Sequence, residues 1–263
     1  MAENILNTLA ECTRKRVEAC KRVVSADEMK AKALSLPKSN FEFEKALNKP
    51  NDIAFICEIK KASPSKGIIA EDFPYLQIAK EYQSAGADCI SVLTEPEYFK
   101  GSTDYLKEIA KVVDTPIIRK DFTIDEYMIY EAHVIGAKAV LLICSLLDTD
   151  TIKQYIKVCD TLGLTALVEA HDETEIHSAL ESGARVIGVN NRNLKNFNVN
   201  IENSTSLRSL IPKDVLFVAE SGIKTPEDIA TLKKSNTNAV LIGETLMRSD
   251  DKAQCLNHLK GLC

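Results

Sequence analysis

Four short segments carry ionisable side chains inside apolar runs. "ICEIK" ends in Glu58 and Lys60, "IIRKD" in Arg119, Lys120 and Asp121, "ALVEA" holds Glu169, and "FVAES" holds Glu220 and Ser221. Each run has the length and the β-branched content of a strand, where residues i and i+2 point the same way. Glu58 and Lys60 therefore share the direction of the apolar residues before them. A carboxylate beside an ammonium group in a partly desolvated place keeps that ammonium charged and aimed, which suits anion binding or proton transfer. Taken one at a time, Arg119 and Asp121 read as strand-end charges reaching solvent. Acids and bases recurring at the ends of four segments form a set of the kind that marks an active site.

A second group suits an anionic ligand. In "GVNNRNLKNF" Asn190 and Arg192 again lie two apart, and a planar guanidinium fits a carboxylate or phosphate. Asn191, Asn193, Asn196 and Asn198 read as loop residues. "AESGI" and "LIGETLMR" place Gly222 and Gly243 directly after strand-like runs, where a backbone free of side chains can approach a phosphate. Ser63 and Lys60 could complete that cradle. Phe99 in "TEPEYFKGS" reads by spacing alone as a core aromatic, with a second reading as a wall for an aromatic substrate.

Charges this far apart in sequence meet only if the fold brings them together. "IAFICEI", "CISVL", "PIIRK", "AVLLIC", "TALVEA", "VIGVN", "VLFVAE" and "AVLIG" are eight strand-like runs, each followed by a helix-length segment. The motif "GADCISV", "GAKAVLL", "GARVIGV" recurs before strands two, four and six, with a degenerate copy before strand eight. Eight βα units predict a (β/α)8 barrel over residues 49–263, in the α/β class, preceded by a helical extension over residues 1–48. In such a barrel all strand carboxyl ends open at one mouth, and the loops after strands seven and eight commonly hold phosphate.

Composition narrows the function. Apolar residues make up 45% and charged residues 27%, an ordinary globular balance, and the net charge of −5 argues against nucleic acid or an anionic membrane as partner. No apolar run approaches the length of a membrane span, and the first residues lack a secretory signal pattern. The eight cysteines and four histidines show no metal-ligand spacing, so reduced thiols in a cytoplasmic protein are expected and no metal site is.

The motifs "EIKKASPSKG", "LTEPEYFKGS", "RKDF", "LVEAHD", "GVNNRNL", "VAESGI" and "LIGETLM", in this order and spacing, resemble the indole-3-glycerol phosphate synthase family. The resemblance implies a cofactor-free ring closure, decarboxylation and dehydration of a small phosphorylated substrate. Lys120 matches the family's general acid, and Glu169 and Lys60 match the residues of the dehydration step. Glu58 and Glu220 match carboxylates that orient the lysines and substrate hydroxyls, while Asn190 and Arg192 match polar substrate contacts. Ser63, Ser221, Gly222, Gly243 and Glu244 match the phosphate end, and Phe99 and Leu194 match walls around the anthranilate ring. Desolvation and a neighbouring ammonium such as Lys60 are expected to bring Lys120 down toward neutral. Two other readings are a Schiff-base aldolase using Lys120 or Lys60 and a non-catalytic phosphosugar-binding barrel; no protein partner is indicated.

Overall fold

The structure, a computed structural model, describes residues 5–192 and 198–262. Three helices come first, α1 (Ile5–Val23), α2 (Ala26–Ser35) and α3 (Glu42–Leu47). The barrel strands follow: β1 (Ala54–Ile59), β2 (Cys89–Leu93), β3 (Ile117–Lys120), β4 (Ala139–Ile143), β5 (Thr165–Ala170), β6 (Val186–Asn190), β7 (Leu216–Glu220) and β8 (Ala239–Ile242). Each pairs in parallel with its neighbours, and β1 pairs with both β2 and β8, so the sheet closes. The architecture is a (β/α)8 barrel with an N-terminal helical extension, and helices pack between its strands. A small hairpin, Ala62–Ser63 against Gly67–Ile68, was not foreseen from the sequence. Among the described residues no helix is long and apolar enough to cross a membrane.

Strand alternation sorts the side chains into two cores. Phe55, Cys57, Val140, Leu142, Val168 and Phe217 pack outward against the helices. Ala54, Ile56, Ile118, Leu141, Leu167, Val218 and Leu241 fill the barrel axis. Two residues beyond the last axial apolar residue stand Glu58, Lys120, Glu169, Glu220 and Gly243. On β1, β3, β5 and β7 the axial column is thus apolar at depth and charged at the mouth.

The extension packs against both ends of the barrel. Phe43 and Leu47 of α3 are fully buried with the axial residues, and the Glu44 N–H donates to Thr165 Oγ1 at 3.1 Å. At the other end Ile5, Leu6 and Leu9 of α1 face the mouth. Arg16 fastens α1 there, donating to Asp121 at 2.6 Å and to the Thr94 carbonyl at 3.1 Å.

Arg119 and Asp121 do not reach solvent, as their strand-end position suggested. Both are about 2% exposed. Arg119 donates to Glu131 at 2.6 Å, to the Met128 carbonyl and to Asp121. Alternation explains the difference, because the neighbours of an inward-pointing Lys120 point outward into the helical layer.

Candidate active site

Above the axial apolar layers lies a cavity of about 910 Å³. Every site residue expected from the sequence lines it, except Leu194, which lies outside the described residues. At its floor the Lys60 ammonium bonds Glu58 Oε1, the pairing anticipated from their spacing. Lys120 Nζ stands between two other carboxylates, 3.5 Å from Glu169 Oε2 and 3.6 Å from Glu220 Oε2. All three carboxylates are buried, at 4% exposure or less.

Two glycines make room for this concentration of charge. A Cβ at Gly188, on β6, would collide with Glu220 Oε1. At Gly243 it would collide with Glu58 and press on Lys60. The glycines leave space beside each carboxylate rather than supplying an unusual turn.

The expectation that Lys120 is brought down toward neutral does not hold. Burial does disfavour its charge, but Glu169, Glu220 and Glu58 outweigh burial and hold its pKa well above the ordinary lysine value. Lys60, the neighbour invoked for a downward shift, is committed to Glu58. Burial opposes ionisation of Glu169 too, yet Lys120, then His171 and Asn190, keep its pKa low. Glu220 goes the other way, because burial and the nearby Glu169 and Glu58 overcome the help of Lys120 and push it up to about 8. One ammonium ion cannot hold two buried carboxylates ionised, so the second, Glu220, takes up a proton more readily.

The polar end is built by loops after β6, β7 and β8. Ser221 and Gly222 both adopt left-handed backbone conformations, with φ of 68° and 84°. Asn191, read from the sequence as a mere loop residue, is 3% exposed and holds that turn. Its Nδ2 donates to the Ser221 carbonyl at 3.1 Å, and its Oδ1 accepts from the Ser204 hydroxyl at 2.7 Å. Thr245 Oγ1 donates to the Ile223 carbonyl at 2.7 Å, tying the β8 loop to the β7 loop. The Glu244 carboxylate lies among three cations, 3.1 Å from Arg248, 3.7 Å from Arg192 and 3.8 Å from Lys66. Asn190 Oδ1 accepts from the Arg192 backbone N–H at 3.0 Å.

The aromatic side of the cavity holds Phe99 and Phe122, with ring centroids 6.0 Å apart. Phe99 is placed by Glu95, a buried carboxylate that accepts from the backbone N–H groups of Glu97, Tyr98 and Phe99 at 2.8, 2.8 and 2.9 Å. Sequence reasoning missed Glu95, Asn191 and Gly188. The only signal for Glu95 was an acid two residues beyond the end of a buried strand. Such an arrangement can bind an anion at one end and an aromatic ring at the other, with proton donors and acceptors between them.

The profile of the indole-3-glycerol phosphate synthase family matches residues 6–259. An indole-3-glycerol phosphate synthase from Ruminiclostridium cellulolyticum is 59% identical over 258 residues, covering 98% of this chain and 99% of that protein. One from Endomicrobium trichonymphae is 53% identical, covering 97% and 99%. Among solved structures, 3-hexulose-6-phosphate synthase superposes with a TM-score of 0.63 at 17% identity, over 80% of this chain and 99% of that one, a likeness of fold alone.

Proposed function

The chain belongs to the indole-3-glycerol phosphate synthase family, and from that premise we propose how the residues at the barrel mouth share the reaction. The protein is a carboxy-lyase that converts 1-(2-carboxyphenylamino)-1-deoxyribulose 5-phosphate into indole-3-glycerol phosphate, releasing carbon dioxide and water.

Ring closure joins the aryl carbon bearing the carboxylate to the sugar ketone. Lys120, held protonated by its carboxylate neighbours, gives a proton to the alkoxide as it forms. Loss of carbon dioxide then restores the aromatic ring. In the dehydration Lys60, aimed by its ion pair with Glu58, protonates the departing hydroxyl, and Glu169 takes the proton from the adjacent carbon. Glu220 orients Lys120 and a sugar hydroxyl. The single observation that carries these roles is Lys120 standing between Glu169 and Glu220 beside the Glu58–Lys60 pair.

The substrate phosphate lies at the loops after β7 and β8, against Ser63 and the backbone around Ser221, Gly222, Gly243 and Glu244. Lys66, Arg192 and Arg248 supply positive charge there, and the Glu244 carboxylate balances them. Asn190 and Arg192 contact polar groups of the substrate, and Phe99 flanks its anthranilate ring. Residues 1–48 act as an extension serving a barrel of residues 49–263, and the free cysteines among the described residues suit a cytoplasmic enzyme.

Incubation with the carboxyphenylamino substrate, followed by indole fluorescence, tests this reading. Turnover supports it. No product would favour a non-catalytic phosphosugar-binding barrel, and a lysine trapped covalently by borohydride in the presence of a carbonyl substrate would favour the aldolase chemistry.

A further inference from the structure

Behind Glu169 stands a second row of polar groups that the proposed reaction does not use. Glu169 Oε2 faces Lys120, while its Oε1 lies 3.4 Å from Nε2 of His171, two residues further along the chain. The imidazole is held from its far side. Nδ1 lies 2.9 Å from Glu175 Oε2, and the same oxygen accepts from the His171 backbone N–H at 2.8 Å. The start of the helix Glu173–Glu181 creates this arrangement: Asp172 caps it by accepting from the Glu175 N–H, and Glu175 reaches back over the first turn. Ser145, in the loop after β4, donates to the other Glu175 oxygen, so that carboxylate is fixed at both ends. Asn203 donates to the His171 carbonyl at 3.3 Å and holds the backbone.

We propose that His171 is a positioning residue for Glu169: locked by Glu175, it sets a second cation against the carboxylate, opposite Lys120, and so keeps Glu169 ionised and aimed. With Nδ1 committed to Glu175, the group turned to Glu169 is Nε2, which has no hydrogen-bond partner among the described residues. In the imidazolium form this nitrogen carries a proton toward Oε1. The groups facing the ring are acidic or neutral: Glu169 on β5, Glu175 on its helix, Ser145 after β4 and, at longer range, Glu220 on β7. Burial disfavours the imidazolium, but the Glu175 hydrogen bond and the charges of Glu169, Glu175 and Glu220 raise its pKa overall. The sign follows from this. Below the His171 pKa, Glu169 has two cations and stays ionised; above it, Lys120 alone remains, and there the alkaline pH itself keeps Glu169 ionised.

The inference rests on the role proposed for Glu169 and is tested separately from it by pH profiles of kcat. His171→Asn is expected to move the acidic limb upward by about one pH unit, so that mildly acidic activity falls roughly tenfold. At alkaline pH the loss should stay below about threefold, with KM nearly unchanged, because ionised Glu169 then needs no second cation. Glu175→Gln, nearly isosteric, should move the same limb in the same direction by less and carries the test if His171→Asn fails to fold. A profile superimposable on the wild type, or a drop equal at every pH, would overturn the positioning role. Glu169→Gln with activity retained would instead overturn the role of Glu169 itself.

Discussion

The Lys120 ammonium stands 3.6 Å from Glu220 Oε2, yet Glu220 is the carboxylate of the site that is driven toward its neutral form. Charge balance explains the pairing. Lys60 serves Glu58, and Lys120, with His171, holds Glu169 ionised, which leaves Glu220 buried with only a share of one cation. A site that carries one neutral acid among ionised ones can both accept and donate hydrogen bonds to sugar hydroxyls.

This arrangement has a stability signature. The folded-state pKa of Glu220, about 8, exceeds the ordinary 4.5, so its contribution is complete below 4.5 and is lost as pH rises through about 8. Glu220→Gln mimics the neutral acid at every pH. The variant should gain in melting temperature over the wild type as pH rises through that window. Thermal unfolding of both proteins across it checks the sign, and a gain on acidification would refute the assignment.

Gly188→Ala tests whether the missing side chain at 188 sets the position of Glu220. The backbone there is ordinary strand, so the substitution should leave the fold intact. The new Cβ collides with the carboxylate, and a displacement of about 1 Å in a catalytic group can cost on the order of 10²-fold in rate. Steady-state kinetics should show kcat reduced while the circular dichroism spectrum is unchanged. Unaltered kcat would mean that Glu220 is not held to its place by this contact.

Asp121 links α1 to the barrel through Arg16 and also faces the buried Arg119. Asp121→Asn removes the charge and leaves both guanidinium groups undercompensated. Breaking a buried pair by neutralising one partner costs about 3–5 kcal/mol, and the low end is expected because Arg119 keeps Glu131. Urea unfolding measures it. Arg16 holds the Asp121 pKa low, so the gap between wild type and variant should narrow as pH falls through that lowered value.

The barrel was legible in the sequence because each of its strands is an apolar run flanked by helix-length segments, and β2, β5 and β6 match their runs residue for residue. The Glu58–Lys60 pair was legible for a related reason, since its two members lie two apart in one strand. What depended on contacts between strands was not. Nothing in "RKDF" tells that Lys120 falls between carboxylates of β5 and β7, and so the direction of its pKa is not legible there. Asn191 looked like its neighbours in an Asn-rich loop, although its amide is the one that turns inward to hold Ser221. Gly188 carried no signal, because the need for an absent Cβ exists only once Glu220 is folded against it.

The central claim is that Lys120 donates the proton that accompanies ring closure, and Lys120→Arg in single-turnover kinetics tests it most directly. Arginine keeps the charge between Glu169 and Glu220 but does not give up its proton in a protein. The alkoxide would then form without a donor. Substrate binding should stay within a few-fold of the wild type, while the single-turnover rate falls roughly 10²-fold or more, the scale for losing one general acid. A variant that retained most of the wild-type rate would contradict the claim, leaving Lys120 as a fixed positive charge and Lys60 as the donor.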